Sequence, residues 1–286
     1  MQIVEEARAK INLALHVVGR RPDGYHDLDM LVAFASVGDT LTLERSDEDR
    51  FEIDGPMERE LSTSADNLVL RALRGFRALT GRSEPMNIRL TKRLPIASGI
   101  GGGSTDAAAT LRGLCRLYGH PADDPTLAKV ALSLGADVPM CLTGRPGHVS
   151  GVGEQIVPTA GRLSFGLLLV NPRFRVSTPA VFRTLERRDN PPLPALPSFG
   201  TVSDLTAFLA TETRNDLEAP AKILAPPIAD VLTALAELSG VRLVRMSGSG
   251  ATCFGIFDDL AAAKSAGDQL ANDHPDWWVE PAASAF

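Results

Sequence analysis

The chain has 286 residues, 44% hydrophobic and 22% charged, with a formal net charge of −6 at pH 7. That composition suits one large or two modest globular domains and argues against a nucleic-acid or anionic-membrane surface. Cys115, Cys141 and Cys253 are far apart with no CxxC pair, and no histidines share an H-E-x-x-H spacing, which argues against a disulfide framework and a zinc site. No apolar run approaches the ~18 residues of a membrane span, and the acidic start MQIVEEARAKINLAL lacks the apolar stretch of a leader. A cytoplasmic protein without membrane contact is expected.

From the N-terminus, AKINLALHVVG alternates through Ile11, Leu13 and Leu15 and predicts a half-buried strand, with Lys10 on the opposite parity. RRPDGYHDL supplies a Pro-Asp-Gly turn. MLVAFASVGDTLTLERS predicts a strand, a turn at Gly38-Asp39 and a second strand. NLVLRALRGFRALTG predicts an amphipathic helix from Asn67, capped near Ser64 or Asp66 and stopped by Gly81. MNIRLTKRLP alternates again as a strand. Helices are expected over 105–118 and 124–134, the second ended by Gly135, and GHVSGVGEQIVPTAG is short strand and turn material. FGLLLVNP reads as a buried strand and TPAVFRTLER as a helix with proline in its first turn. RRDNPPLPALPSFGTVSD is proline-rich and is expected to be an exposed linker, the least ordered part of the chain. Helices near 203–211 and 228–239, two strands around the Ser-Gly-Ser-Gly of VRLVRMSGSGATCFGIF, a helix in DLAAAKSAGDQLAND and a strand in WWVEPA complete the chain. Strands and helices mix without a βαβ rhythm, so the expected class is α+β, divided into domains 1–152 and 153–286.

The stretch richest in chemical meaning is LPIASGIGGGSTDAAATLRGL. Gly99, Gly101, Gly102 and Gly103 fall within five residues, just before a predicted helix. A helix start leaves N–H groups unpaired and carries partial positive charge, and glycines let a ligand approach the backbone. Together they suit an anion, most often phosphate. Ser104, Thr105 and Asp106 are all good N-cap types, so the helix is expected to begin among them. No G-x-x-x-x-G-K-[ST] occurs, and the G-x-G-x-x-G pattern fails at its sixth position, Ser104. A flexible glycine loop with a capped helix stays as the plainer reading.

Three segments in order, AKINLALHVVGRRPDGYHDL, PIASGIGGGSTDAAATL and VRMSGSGATCFGIF, resemble the GHMP kinase superfamily of small-molecule kinases. The loop matches its P-x-x-x-G-[LI]-G-[GS]-[GS]-S pattern from Pro95, with Ile100 at the usual leucine position. The first segment, with LSLGADVPMCLTG and GVGE, resembles the branch whose substrate is 4-diphosphocytidyl-2-C-methyl-D-erythritol, in the non-mevalonate isoprenoid route. The resemblance spans nearly the full chain. It implies a two-domain α+β fold: an N-terminal ribosomal S5 domain 2-like domain that binds ATP, and a C-terminal GHMP-type α/β sandwich. It also implies phosphorylation of the substrate's C2 hydroxyl with ATP and magnesium, by a monomer or weak homodimer. No magnesium ligand can be placed on the chain.

Site residues follow from the same resemblance. Lys10, otherwise a surface lysine, stands where the family has a cation beside the transferred phosphoryl group, whose spreading charge such a cation offsets. Asp137, otherwise a turn or N-cap aspartate, stands at the catalytic base, which accepts the hydroxyl proton. Gly99, Gly101, Gly102, Gly103, Ser104 and Thr105 would cradle the ATP phosphates through backbone N–H groups, with Asn67 and Lys92 flanking the adenine. Tyr25 and His26 would form the cytosine pocket, an aromatic face to stack and a histidine for the polar edge, and Phe182 would close the sandwich. Packing on a loop surface or in a helix core is the plainer reading of those rings. Asn12 and Thr178 match positions near the substrate, and Gly248, Ser249 and Gly250 match the third motif, which otherwise reads as a hairpin turn. A GHMP kinase for homoserine or mevalonate, and a nucleotide-binding regulator without catalysis, are the rival readings.

Overall fold

A computed structural model describes residues 1–58, 61–64, 66–159 and 163–286. The last two residues of the predicted GHVSGVGEQIVPTAG stretch, Ala160 and Gly161, fall outside them. The chain packs as two compact units interleaved in sequence. The first holds 1–9, 38–96 and 101–144; the second holds 10–37, 97–100 and 145–286.

Two long strands, β1 (Gln2–Arg20) and β2 (His26–Arg45), contribute residues to both units. The turn expected at Gly38-Asp39 does not form; β2 runs straight through it. Gly38 serves close approach instead: a Cβ there would lie 2.4 Å from the Ala7 carbonyl oxygen. Gln2–Arg8 of β1 alternate between exposed and buried, but the stretch expected to be half-buried is buried on both faces from Ala9 to Val17. Lys10, Asn12 and His16 are buried together with Ile11, Leu13 and Leu15.

In the first unit, β3 (Arg50–Asp54) pairs parallel with β4 (Met86–Thr91), and β4 pairs antiparallel with Thr40–Arg45 of β2. Four helices belong to this unit: α1 (Leu68–Thr80), α2 (Gly102–Tyr118), α3 (Pro125–Leu134) and α4 (Val138–Thr143). Leu41, Leu43, Phe76, Ile88, Leu90, Leu111 and Leu114 are buried in its core. Helix ends follow local chemistry. Asn67, not Ser64 or Asp66, caps α1 by accepting from Val69 N, and Asp124 caps α3 through Thr126 N. Gly81 and Gly119 end α1 and α2 in the left-handed conformation.

In the second unit, Leu28–Val32 of β2 pair antiparallel with β5 (Gly147–Gly151), which pairs with β6 (Gln155–Pro158). A separate antiparallel sheet has the order β10 (Trp278–Ala285), β7 (Ser164–Asn171), β9 (Cys253–Phe257), β8 (Leu243–Met246). Its helices are α5 (Thr178–Thr184), α6 (Val202–Glu212), α7 (Glu218–Leu224), α8 (Pro227–Ala236) and α9 (Leu260–Asp273). The mixture of helices with largely antiparallel sheets is the expected α+β class.

The proline-rich segment 185–201 has no regular structure, yet it is not a loose linker. Leu193 is buried, and its N–H donates to Asp29 Oδ2 at 2.8 Å. The Pro191 carbonyl accepts from Arg214 Nη2 at 2.8 Å and lies 3.1 Å from His16 Nδ1. Asn190 donates to Asp216 Oδ2 at 3.1 Å. Proline removes the donors a strand would need, so the segment is held by side chains from its neighbours.

Candidate active site

The second unit brings the end of the glycine loop to β1 and to the Ser-Gly-Ser-Gly turn. Lys10 N donates to the Ile100 carbonyl at 3.0 Å, Ser247 Oγ to the Gly99 carbonyl at 3.0 Å, and Thr252 N to the Ser98 carbonyl at 3.0 Å. A Cβ on Gly99 would lie 2.3 Å from the Ser247 carbonyl oxygen, and one on Gly248 2.6 Å from that of Gly99. Two glycine segments therefore meet backbone to backbone, which side chains would forbid. Asn215 holds the turn from behind through the Met246 and Gly248 carbonyls, at 2.7 and 2.9 Å.

Asn12 joins the same cluster, its N–H donating to Ser247 Oγ at 3.0 Å. Its Oδ1 is buried and has no hydrogen-bond partner among the described residues. An orphaned buried acceptor is costly, and a substrate hydroxyl would satisfy it. Thr178 opens α5, and its Oγ1 lies 2.7 Å from Ser249 Oγ, which links α5 to the turn.

His26 and Phe182 stack with ring centroids 4.7 Å apart and planes 20° from parallel. Tyr25, the other ring of the expected pocket, is 61% exposed. His26 Nε2 is a second buried polar atom without a partner among the described residues. Burial lowers the His26 pKa, and Arg188 and Arg20 lower it further, which favours the neutral ring. Sequence reading had not singled out either arginine; nothing in their spacing distinguishes them from other surface arginines.

In the first unit, α2 starts earlier than expected. Its N-cap is Gly101, left-handed at φ 68°, and Gly102, Gly103 and Ser104 form its first turn. Ser104, Thr105 and Asp106 therefore do not cap. Thr105 is buried, its Oγ1 donating to the Gly102 carbonyl at 2.9 Å and its N–H to the Gly101 carbonyl at 2.8 Å, so the backbone donors of this turn left for a ligand are those that precede it. Those donors and the left-handed glycine suit an anionic phosphate.

Lys92 does not fit the adenine-flanking role expected of its side chain. The residue is 2% exposed, and its ammonium donates to Asp106 Oδ2 at 2.9 Å and to Asp39. Burial pushes the Lys92 pKa down, but the two carboxylates push it up further. Burial and the Asp39 carboxylate raise the Asp106 pKa to about 7 against the pull of Lys92. Asn67 is committed as well: Oδ1 caps α1, and Nδ2 donates to the Ser62 carbonyl at 3.0 Å. Asp137 is the N-cap residue of α4, yet its side chain makes no capping hydrogen bond. Pro95 is buried in the segment leading into the glycines.

The family model for the N-terminal domain of GHMP kinases matches residues 67–145, and that for their C-terminal region matches 193–276. The chain is 52% identical to the 4-diphosphocytidyl-2-C-methyl-D-erythritol kinase of Cereibacter sphaeroides, over 98% of both chains. The chain belongs to the GHMP kinases. It is thus an ATP-dependent phosphotransferase with the two-domain GHMP kinase fold. The protein of the same name from Rhizobium etli is 50% identical over 97% of this chain and 93% of its own. A crystal structure of 4-(cytidine 5'-diphospho)-2C-methyl-D-erythritol kinase is 34% identical, with a TM-score of 0.79 over the whole of both chains. Homoserine kinase from Cytophaga hutchinsonii, 18% identical with a TM-score of 0.69 over 99% of this chain and 94% of its own, shares the fold. Among the described residues, no helix is long and apolar enough to cross a membrane.

Proposed function

We propose that this GHMP kinase transfers the γ-phosphoryl group of ATP to the C2 hydroxyl of 4-diphosphocytidyl-2-C-methyl-D-erythritol, giving the 2-phosphate and ADP on a route to isoprenoid precursors. The observation that carries the substrate choice is the stacked His26–Phe182 pair with its orphaned, buried Nε2. A flat apolar face beside an unsatisfied polar atom suits a pyrimidine edge and has no evident use for homoserine or mevalonate. Asn12, with its orphaned Oδ1, and Thr178 contact the substrate, and Tyr25 closes over the base from the solvent side.

Asp137, the N-cap residue of α4, acts as base and accepts the proton of the attacking hydroxyl. Lys10 offsets charge on the transferring group. The N–H groups of Gly101–Ser104, with Gly99 and Pro95 shaping the loop, hold the phosphates; the Thr105 N–H is spent on the Gly101 carbonyl. Magnesium accompanies the nucleotide, bound mainly by phosphate oxygens and water. Among the described residues, no three His, Cys, Asp or Glu side chains gather around a metal position, and no ligand on the chain is named. The domains divide at 152 and 153, and the enzyme is a cytoplasmic monomer or weak homodimer.

The test is ADP release with ATP and magnesium, offering this cytidine diphosphate alcohol, homoserine and mevalonate in parallel. Turnover is expected with the first alone. Turnover with another alcohol would remove the cytosine pocket, and silence with all three would favour a nucleotide-binding regulator.

A further inference from the structure

Asp39 on β2, Lys92 just after β4 and Asp106 in α2 form a buried cluster in the first unit, at 0%, 2% and 3% exposure. Its connections are directional. Asp39 Oδ1 accepts from Arg93 N at 2.6 Å and Leu94 N at 2.9 Å, and so grips the chain that leads into the glycine-rich stretch. The Lys92 ammonium passes the connection to Asp106 Oδ2 at 2.9 Å, one turn beyond the start of α2. The remaining oxygen, Asp106 Oδ1, has no partner among the described residues, so Lys92 is the cation that holds this carboxylate in place.

Gly102 completes the arrangement. A Cβ there would lie 3.0 Å from Lys92 Nζ, 3.8 Å from Leu94 Cβ and 3.9 Å from Asp39 Oδ2. The first turn of α2 therefore lies against the ammonium, and a side chain at this position would need Lys92 Nζ to move by a few tenths of an ångström. Gly102 does not have a left-handed φ, so its conformation gives no separate reason for glycine.

We propose that Asp39, Lys92 and Asp106 are positioning residues, a strut that fixes the first turn of α2 so that the N–H groups of Gly102, Gly103 and Ser104 meet the nucleotide phosphates. The inference rests on the kinase reading and adds to it a device in residues that touch no substrate. A buried ion cluster is a poor source of stability, because desolvation offsets most of the attraction, whereas fixing one geometry is a function such clusters serve. The strut acts on the nucleotide and not on the alcohol.

The experiment compares wild type with G102A, D106L and D106N. Binding of a non-hydrolysable ATP analogue is measured by calorimetry, and KM is measured for each substrate. Circular dichroism reports folding. G102A and D106L are expected to lose about tenfold in analogue affinity, the effect of weakening one charge-assisted hydrogen bond, with KM for the alcohol unchanged. D106N keeps an acceptor for Lys92 and is expected to restore wild-type affinity. G102A, which the helix tolerates, decides the matter if D106L does not fold. If wild type binds the analogue and G102A binds it equally well, the strut is refuted. Loss in D106N equal to that in D106L would refute it too, as would equal rises in both KM values. Wild type that fails to bind the analogue would overturn the kinase reading instead.

Discussion

At the scale of single residues, the base role proposed for Asp137 falls on a structurally plain position. An aspartate at the start of a helix ordinarily spends its carboxylate on the free N–H groups of the first turn. Asp137 sits at the start of α4, and its side chain makes no such bond. Sequence left a turn or N-cap aspartate as the plain alternative; the backbone position agrees with an N-cap, while the side chain is not used as one. Its assignment as base came from the GADVPM resemblance, since nothing in spacing alone could separate it from other aspartates. Replacing Asp137 with Ala is expected to lower kcat by about 10²–10⁴, the usual worth of general-base catalysis, and to leave nucleotide affinity unchanged. Near-normal turnover in a steady-state ADP assay would remove Asp137 from the mechanism. Lys92 makes the opposite point. The family resemblance implies a place beside the adenine, and only tertiary packing reveals that two carboxylates claim it.

At the scale of elements, most strands and helices were legible because their periodicity and end residues agree. Helix α3 lies between Asp124 and Gly135, as the residues at its two ends imply. Apart from the helix starts at Asn67 and Gly101, which differ by a few residues, the failures share one cause: a residue read for its local meaning served a distant partner. Gly38 looks like a turn residue but exists for the Ala7 backbone. Prolines near 191–197 look like a linker, but the segment is bound by Asp29, His16, Arg214 and Asp216. Asp29 is the central tie, buried, with Leu193 N on one oxygen and His148 Nε2 against the other. Changing Asp29 to Ala leaves the Leu193 N–H without its acceptor, at a cost of about 1–3 kcal/mol in urea denaturation. Cleavage by a protease within 189–201 should rise in the same variant. Unchanged stability and unchanged cleavage would mean that the segment is held without Asp29.

At the scale of the whole molecule, the sequence domains and the packed units are different objects. The expected cut lies between 152 and 153, within the stretch 146–192 that neither family model covers. The second packed unit nevertheless includes 10–37 and 97–100 from the N-terminal stretch. Those residues hold up its interior. Arg245, buried, donates to the Leu13 carbonyl at 2.8 Å; Leu15 N donates to the Arg214 carbonyl at 2.9 Å; Ser284 Oγ donates to the Phe34 carbonyl at 3.0 Å. Burial already lowers the Arg245 pKa to about 10, and without β1 its guanidinium would lose one acceptor of a costly buried charge. A fragment of 153–286 keeps the sheet β10-β7-β9-β8 but loses the strands that satisfy these groups. It is expected to show no cooperative thermal transition, while the same fragment mixed with a 1–152 fragment regains one. Sharp melting of the isolated C-terminal fragment, followed by circular dichroism, would show that β1 and β2 are accessory to this unit. Sequence could not foresee this dependence, because the alternation of Ile11, Leu13 and Leu15 marks a strand without naming the elements it serves.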